Sequence, residues 1–599
     1  MSSGSRRAQQ RLDGLLPRPR SVKAGDELVE DRDEQVFIDA SPDSRSKGRS
    51  QGYVLEVASD RIVITATDEA GAFYGGCTLA QLRRLNPHGL PSCRIEDWPD
   101  FPVRGVMIDI SRDKVPALST LESLVDLLAS WKINQLQLYM EHTFAYEGHE
   151  EVWAAASALT PEEVLHLDAF CRARFVELVP NQNTLGHMER WLWHPRYHDL
   201  AIAPAGRVDG FGLSHPASTL DPSNPGSLAL VRDLLGQLGS CFESRRFHVG
   251  LDEPWELPAE AANEYLSWMR DLRALDELDS KTMLVWGDRI SSDPSMISQL
   301  PEGVVVCEWG YEDWHPFAEK LAALSAEGRE AWVCSGTSSW LSILGRTGNM
   351  VRNCSKAAKE GLGGGATGYL ITDWGDMGHL QYLPISYPGF AYGAGVSWCW
   401  EQNRSIDLAT ALSLHVFDDP SMEMGGAAVA LGDTYDLLSC QFPNLSTLVL
   451  HLYFPQLALG VGFTAGLSVQ DLNRVEEYLV HAVASLDSAQ PRSEDAVLAV
   501  DELRSATALV SLLARDGIAR LEGDGTLSSL PAPQRGNFAR ELAPLIEHHR
   551  ELWLARNRGG GLARSVAWLE HLRECYETGE TDPGWAGPDI SLGFGPGEL

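Results

Sequence analysis

The run Val103-Arg104-Gly105-Val106-Met107-Ile108-Asp109-Ile110-Ser111-Arg112 decides the fold. Its first eight residues lack the polar–apolar alternation of a strand with one face in water, so they read as a strand buried on both faces. A doubly wound nucleotide-binding fold would follow that strand with a glycine-rich turn, and Ser111 and Arg112 stand there instead. Seven more runs of the same kind follow at 134–140, 175–180, 247–250, 283–287, 304–309, 331–334 and 369–373. Segments with apolar residues at helical spacing, such as 120–131, 161–174, 227–240 and 260–275, lie between most of them. Eight buried strands alternating with helices over about 300 residues predict a (β/α)8 TIM barrel, an α/β fold.

On the N-terminal side, 52–57 and 61–66 read as two strands of a hairpin joined by Ala58-Ser59-Asp60. A turn at 70–75 then leads into a short helix at 78–85, and the first fifty residues, mixed in charge, read as irregular. Beyond residue 400 the pattern is helical, at 472–486, 494–514, 536–557 and 562–576, and the last twenty residues read as a loose tail. The expected organisation is therefore a small α+β domain over 1–98, the barrel over 99–400 and a mainly helical region over 401–599. A chain of 599 residues is too long for one ordinary core, which agrees with that division. The helical region either packs on the barrel or makes a dimer, and the oligomeric state stays open.

Composition excludes several classes of partner. Hydrophobic residues make up 44% and charged residues 22%, a globular mixture. The formal net charge of −34 repels phosphate backbones and anionic lipid surfaces, so neither nucleic acid nor a membrane is expected as partner. No apolar run is long enough to span a bilayer, and the N-terminus has no apolar stretch of the kind a secretory signal needs. Ten cysteines without a CxxC pair point to a reducing, cytoplasmic setting and away from zinc. Five histidines (His142, His149, His187, His194 and His248) raise the question of a metal. A barrel metallohydrolase would carry His-x-His on its first strand, where 107–110 holds none, so no metal is expected. The glycines of 361–368 lack the Gly-Lys-Ser/Thr ending of a phosphate loop and precede a strand, so they read as a turn and no cofactor is expected.

In such a barrel the chemistry gathers at the C-terminal ends of the strands. Those ends carry 109–112, Glu141 and His142, 181–187, Asp252 and Glu253, 286–288, Glu308 and Trp309, 335–340 and 373–376. Four tryptophans, Trp286, Trp309, Trp340 and Trp374, fall at four successive ends. Flat aromatic faces beside carboxylates suit a pyranose ring, whose CH faces stack while its hydroxyls donate to oxygen acceptors. The sharpest element is Phe247-His248-Val249-Gly250-Leu251-Asp252-Glu253-Pro254-Trp255. Two adjacent carboxylates at a strand end cannot both ionise cheaply, so one of them is expected to keep a proton for general-acid work.

This segment resembles the His-x-Gly-x-Asp-Glu motif of the family 20 glycoside hydrolases, the β-N-acetylhexosaminidases. The stretch 96–112 resembles that family's first barrel strand, and 52–85 its small N-terminal domain. Tyr139 to Gly148 and Leu185 to Glu189 look most like the hexosaminidase D branch. The resemblance covers about residues 50 to 400 and implies exo-acting removal of terminal β-linked GlcNAc or GalNAc by a retaining, substrate-assisted mechanism. In it Asp252 would orient the 2-acetamido group and Glu253 would serve as general acid and base. Arg104 would bind sugar hydroxyls and the four tryptophans would wall the acetamido pocket. Glu141, Asn183, His187, Asp373 and Asp376 complete the expected substrate-binding set. Apart from the resemblance, 188–193 reads as the start of a rim helix, with an aglycone contact through Trp191 or Trp193 as the lesser alternative. The chain departs from the family pattern at Asn183, where an Asp is common, at Glu141, and at 335–340, where a Tyr-x-Asp is missing. Two rival readings stay open: a catalytically silent carbohydrate-binding barrel, and another type of 2-acetamido β-glycosidase.

Overall fold

The computed structural model describes residues 12–39, 41, 48–208, 214–582, 585 and 587. A five-stranded sheet comes first, with β1 (Ser21–Val29), β2 (Glu34–Ile38), β3 (Tyr53–Val57), β4 (Ile62–Ala66) and β5 (Leu90–Asp97) in the order β1-β5-β3-β4-β2. The expected hairpin is present, with β3 antiparallel to β4 from Tyr53 opposite Ala66 to Val57 opposite Ile62. Two expectations are corrected here. The segment read as irregular supplies β1 and β2, which are the sheet's two edges. All five residues of β2 are exposed, and β1 has four exposed, four half-buried and one buried residue, so neither strand presents an unbroken apolar run for the sequence to betray. The turn expected at 70–75 is helical: α1 spans Glu69–Leu85, and the Asp68 side chain accepts from the Gly71 N–H at 2.7 Å to start it.

Eight parallel strands then close into a barrel: β6 (Val103–Asp109), β7 (Gln135–Met140), β8 (Glu177–Gln182), β9 (Arg246–His248), β10 (Thr282–Trp286), β11 (Val304–Trp309), β12 (Ala331–Gly336) and β13 (Gly368–Asp373). Every expected strand is among them, and β13 returns to pair with β6 from Gly368 opposite Val103 to Asp373 opposite Ile108. Helices α2 (Leu118–Ser130), α3 (Pro161–Arg172), α4 (Pro225–Gly239) and α5 (Ala262–Arg273) follow β6 to β9 and cover the strands from outside. The glycine run is not one turn. Helix α6 (Thr347–Gly364) carries three of its glycines, and Gly365, at φ +76°, ends the helix in the left-handed region.

Strand direction corrects one expected site residue. Arg104 is the second residue of β6 and lies at the end of the barrel opposite the mouth. It is fully buried, donating from Nε to the Lys132 carbonyl at 2.9 Å and from Nη1 to the Phe101 carbonyl at 2.8 Å. Its guanidinium lies over the rings of Trp398 and Tyr74, so it closes the barrel floor against the N-terminal sheet and touches no part of the mouth.

The C-terminal region is built mainly of long helices, among them α7 (Val469–Ser488), α8 (Glu494–Leu521), α9 (Ala532–Arg556) and α10 (Leu562–Thr578). It is sewn to the loop after β6. Pro116 and Asn557 form a β-bridge, the Ala117 N–H donates to the Arg556 carbonyl at 2.9 Å, and the Arg558 N–H donates to the Val115 carbonyl at 2.9 Å. Arg556 also pairs with Glu502 on α8 at 2.7 Å. Among the described residues no helix is long and apolar enough to cross a membrane, and no group of three or more His, Cys, Asp or Glu could hold a metal ion.

Candidate active site

The mouth is organised by the loop that ends β9. Gly250 has φ +72°, and a Cβ there would sit 2.4 Å from Asn183 Oδ1, so only glycine lets the chain turn this close to β8. Leu251 (φ +76°) and Glu253 (φ +46°) are also left-handed, as is His187 (φ +53°) facing them. Such conformations cost about 1–3 kcal/mol each and persist where surrounding contacts over-determine them. Those contacts are present. Asn183 Oδ1 accepts the Leu251 N–H at 3.3 Å, and the Glu253 N–H donates to Asp288 Oδ2 at 3.1 Å.

The two adjacent carboxylates share one imidazole. His187 Nε2 is 3.4 Å from Asp252 Oδ2 and 3.3 Å from Glu253 Oε2. Asn183 departs from a relay role: its Nδ2 donates to Asp252 Oδ1 at 2.7 Å and not to His187. Burial pushes Asp252 up, but the charge and hydrogen bond of His187, the Asn183 amide and Arg112 outweigh it and hold Asp252 below the usual carboxylate range. His187 moves the other way. Burial lowers it, yet Asp252 and the hydrogen bonds of both carboxylates raise it well above an ordinary imidazole.

The arginine of the mouth is Arg112, which lies just past β6 and was read only as part of a strand end. Its Nη1 is 3.3 Å from Asp109 Oδ2 and 3.3 Å from Glu141 Oε1, its Nε is 3.9 Å from Asp376 Oδ1, and its Nη2 is 3.3 Å from His187 Nδ1. The guanidinium also lies over the rings of Tyr139 and Trp374. Glu141 and Asp376 are thus brought to the site. Asp373 is not: its Oδ1 accepts from Thr337 Oγ1 at 2.6 Å, Ser339 Oγ at 2.7 Å and Ser386 Oγ at 2.8 Å, which ties down the loop after β12. A carboxylate at a strand end can face inward to its neighbours, and here three hydroxyls hold it.

The tryptophans form one continuous wall. Trp286 and Trp374 lie 5.9 Å apart, and Trp374 meets Tyr139 edge-on at 4.8 Å. Tyr311 joins the rest, stacking on Trp309 at 5.2 Å, meeting Trp340 at 5.0 Å and accepting from Trp374 Nε1 at 2.8 Å. Trp286 and Trp340 are almost wholly buried and back the wall, while Trp309 is half-buried. Tyr139 and Tyr311 were missed by sequence reasoning, although each stands within two residues of a strand's C-terminal end, and Asp288 was read only as part of the strand end 286–288.

Asp376 is pushed up to about 7 by burial and by the charges of Asp109 and Glu253, which Arg112 only partly offsets. Its native value lies above an unfolded one near 3.9, so its ionisation removes stability as pH rises through that window. Asp376→Asn is expected to raise Tm relative to the wild type more at pH 8 than at pH 5. A Tm difference independent of pH would contradict that assignment.

Fold and mouth together define a (β/α)8 barrel that joins paired carboxylates to an aromatic wall. The chain matches the description glycosyl hydrolase family 20, catalytic domain, over residues 101–343 and glycosyl hydrolase family 20, domain 2, over residues 17–98. The chain belongs to glycoside hydrolase family 20. It is 24% identical to a beta-hexosaminidase of Emericella nidulans over 62% of this chain, and 27% identical to a beta-hexosaminidase of Akkermansia muciniphila over 35%. It spans 64% and 46% of the lengths of those two proteins. Among solved structures, a beta-N-acetylhexosaminidase superposes with a TM-score of 0.54 at 18% identity, covering 67% of this chain and 95% of the other. A Streptomyces coelicolor beta-N-acetylhexosaminidase gives 0.51 at 19% identity, covering 67% and 96%. At that identity the likeness speaks for the fold.

Proposed function

We propose that the protein is a retaining β-N-acetylhexosaminidase working by substrate assistance on terminal GlcNAc or GalNAc. The observation that carries this reading is the pair at the end of β9: consecutive carboxylates, both within 3.4 Å of one imidazole nitrogen. Family 20 is one of the exceptions to the ordinary two-carboxylate schemes, the nucleophile being the substrate's own 2-acetamido oxygen. Asp252, kept ionised by His187, Asn183 and Arg112, orients the acetamido group and balances the positive charge that grows on its nitrogen. Glu253 protonates the leaving oxygen and then takes a proton from the incoming water. Arg112, Glu141 and Asp376 offer one donor fork and two acceptors to the ring hydroxyls, and the wall of Trp374, Tyr311 and Trp309, backed by Trp286 and Trp340, takes the apolar face. The names of the relatives and the family match support the sugar class. A cytoplasmic setting belongs to the same reading and is supported by ten free cysteines.

The test is hydrolysis of paired nitrophenyl β-glycosides of GlcNAc, GalNAc and glucose. Cleavage confined to the two acetamido sugars is expected; equal cleavage of the glucoside would overturn substrate assistance. Asp288 adds a second check, because its carboxylate holds the strained Glu253 backbone. Asp288→Ala is expected to lower kcat about tenfold with little change in KM, a loss of the size that a small misplacement of a catalytic group brings. Asp288→Asn, which keeps an acceptor, should recover most of it. Equal kcat in both variants would mean that this bond does not position Glu253.

A further inference from the structure

Three loops of the mouth place neighbouring residues in two different places. Arg112, Glu141 and His187 face the carboxylate pair, while Asp113, His142 and Arg190, one to three positions further on, line a separate cavity of about 200 Å3. Its far wall comes from the C-terminal region, where Arg564 stands in the first turn of α10. Resting on the reading just given, we propose that this cavity is a second carbohydrate subsite, taking one neutral pyranose ring and built jointly by barrel loops and helix α10.

The chemistry of its walls selects the ligand. Asp113 Oδ1 is held at 3.2 Å by Arg190 Nη2 and at 3.1 Å by Arg564 Nε, and both guanidiniums lie by the ring of Trp193, at 4.7 and 5.4 Å from its centre. Trp193 is nevertheless 39% exposed, a large aromatic surface at the cavity's edge. His142, which also lines the cavity, is only 5% exposed. Burial and the positive charges of Arg190, Arg112 and His194 hold this imidazole well below its usual pKa, so it is neutral. A sugar hydroxyl both donates and accepts, so it can give its proton to the Asp113 carboxylate while its lone pairs accept from the guanidiniums. A carboxylate or sulfate has no proton to give. The cavity is several times the roughly 30 Å3 share of one water, room for a single ring. The mixed donors, acceptors and aromatic surface match the needs of a polyol.

Calorimetric titration with galactose, glucose, mannose and N-acetylglucosamine tests this. At least one of the four should bind the wild type and Asp252→Asn alike, because the cavity does not use Asp252. That binding should weaken at least fivefold in both Trp193→Ala and Arg564→Ala; Trp193 is exposed, so the first substitution leaves the core intact. Binding of none of the four sugars would overturn the proposal, as would affinity unchanged by both substitutions or abolished by Asp252→Asn alone. The outcome is independent of turnover: a wild type that cuts no glycoside yet binds a sugar at Trp193 would sink the hydrolase reading and keep the subsite.

Discussion

Glu253→Gln is expected to fold like the wild type and to lose about 10²–10⁴-fold in kcat on nitrophenyl N-acetylhexosaminides, the range for removing a general acid or base. The amide has nearly the volume of the carboxyl, and the bond that fixes this residue to Asp288 comes from its backbone N–H, which the substitution leaves in place. The side chain can still meet His187 Nε2, so positioning survives and proton transfer does not. Substrates with a better leaving group should suffer less, because they need less protonation at the glycosidic oxygen. Activity within tenfold of wild type on every leaving group would remove Glu253 from the mechanism.

Asp252→Asn carries the second large effect, a loss of about 10²–10³-fold, on the scale of deleting one charge-stabilising group aimed at the transition state. Two consequences separate it from Glu253→Gln. The acetamido nitrogen loses its counter-charge, so leaving-group quality should hardly change the loss. His187 also loses the strongest influence raising its pKa, and Asn183 loses the carboxylate that its amide donates to. The alkaline limb of the pH–rate profile should therefore move to lower pH in Asp252→Asn. An unmoved limb would mean that the His187 charge does not govern that limb.

Much of the fold was legible because most barrel strands are buried on both faces and read as largely apolar runs, 304–309 to the residue. The edge strands β1 and β2 were illegible for the opposite reason: β2 is wholly exposed, β1 only partly covered, and neither carries an unbroken apolar run for a pattern to mark. Residue type and strand-end position coincide at Asp252, Glu253, Asn183 and His187, and the structure brings these four together. The site was misread where residue type was trusted over strand direction. Arg104 and Arg112 lie on either side of one apolar run, and only Arg112 is at the end where a barrel keeps its loops. Asp373 shows a limit of another kind. Its position is right, but three hydroxyls from Thr337, Ser339 and Ser386 claim it, and two of those belong to the loop after the neighbouring strand. Such pairings across the barrel leave no trace in local spacing. Nor could spacing reveal that Trp193 and Arg564 would meet, with five barrel strands and most of the C-terminal region between them in sequence.

The seam between the loop after β6 and the end of α9 has a consequence for how the molecule is made. Thr120 Oγ1 donates to the Arg556 carbonyl across 436 residues of chain, beside the bridge of Pro116 with Asn557. Contacts of such long range form late, because loop closure must come before they can help. On the ribosome, the first barrel strand and the loop that carries Arg112 emerge long before the helices that brace them. A nascent chain released before α9 is made would hold all eight strands and both carboxylates, yet its mouth would lack the brace. Completion of the mouth is thus coupled to completion of the polypeptide, and a prematurely terminated product would be left an unfinished barrel.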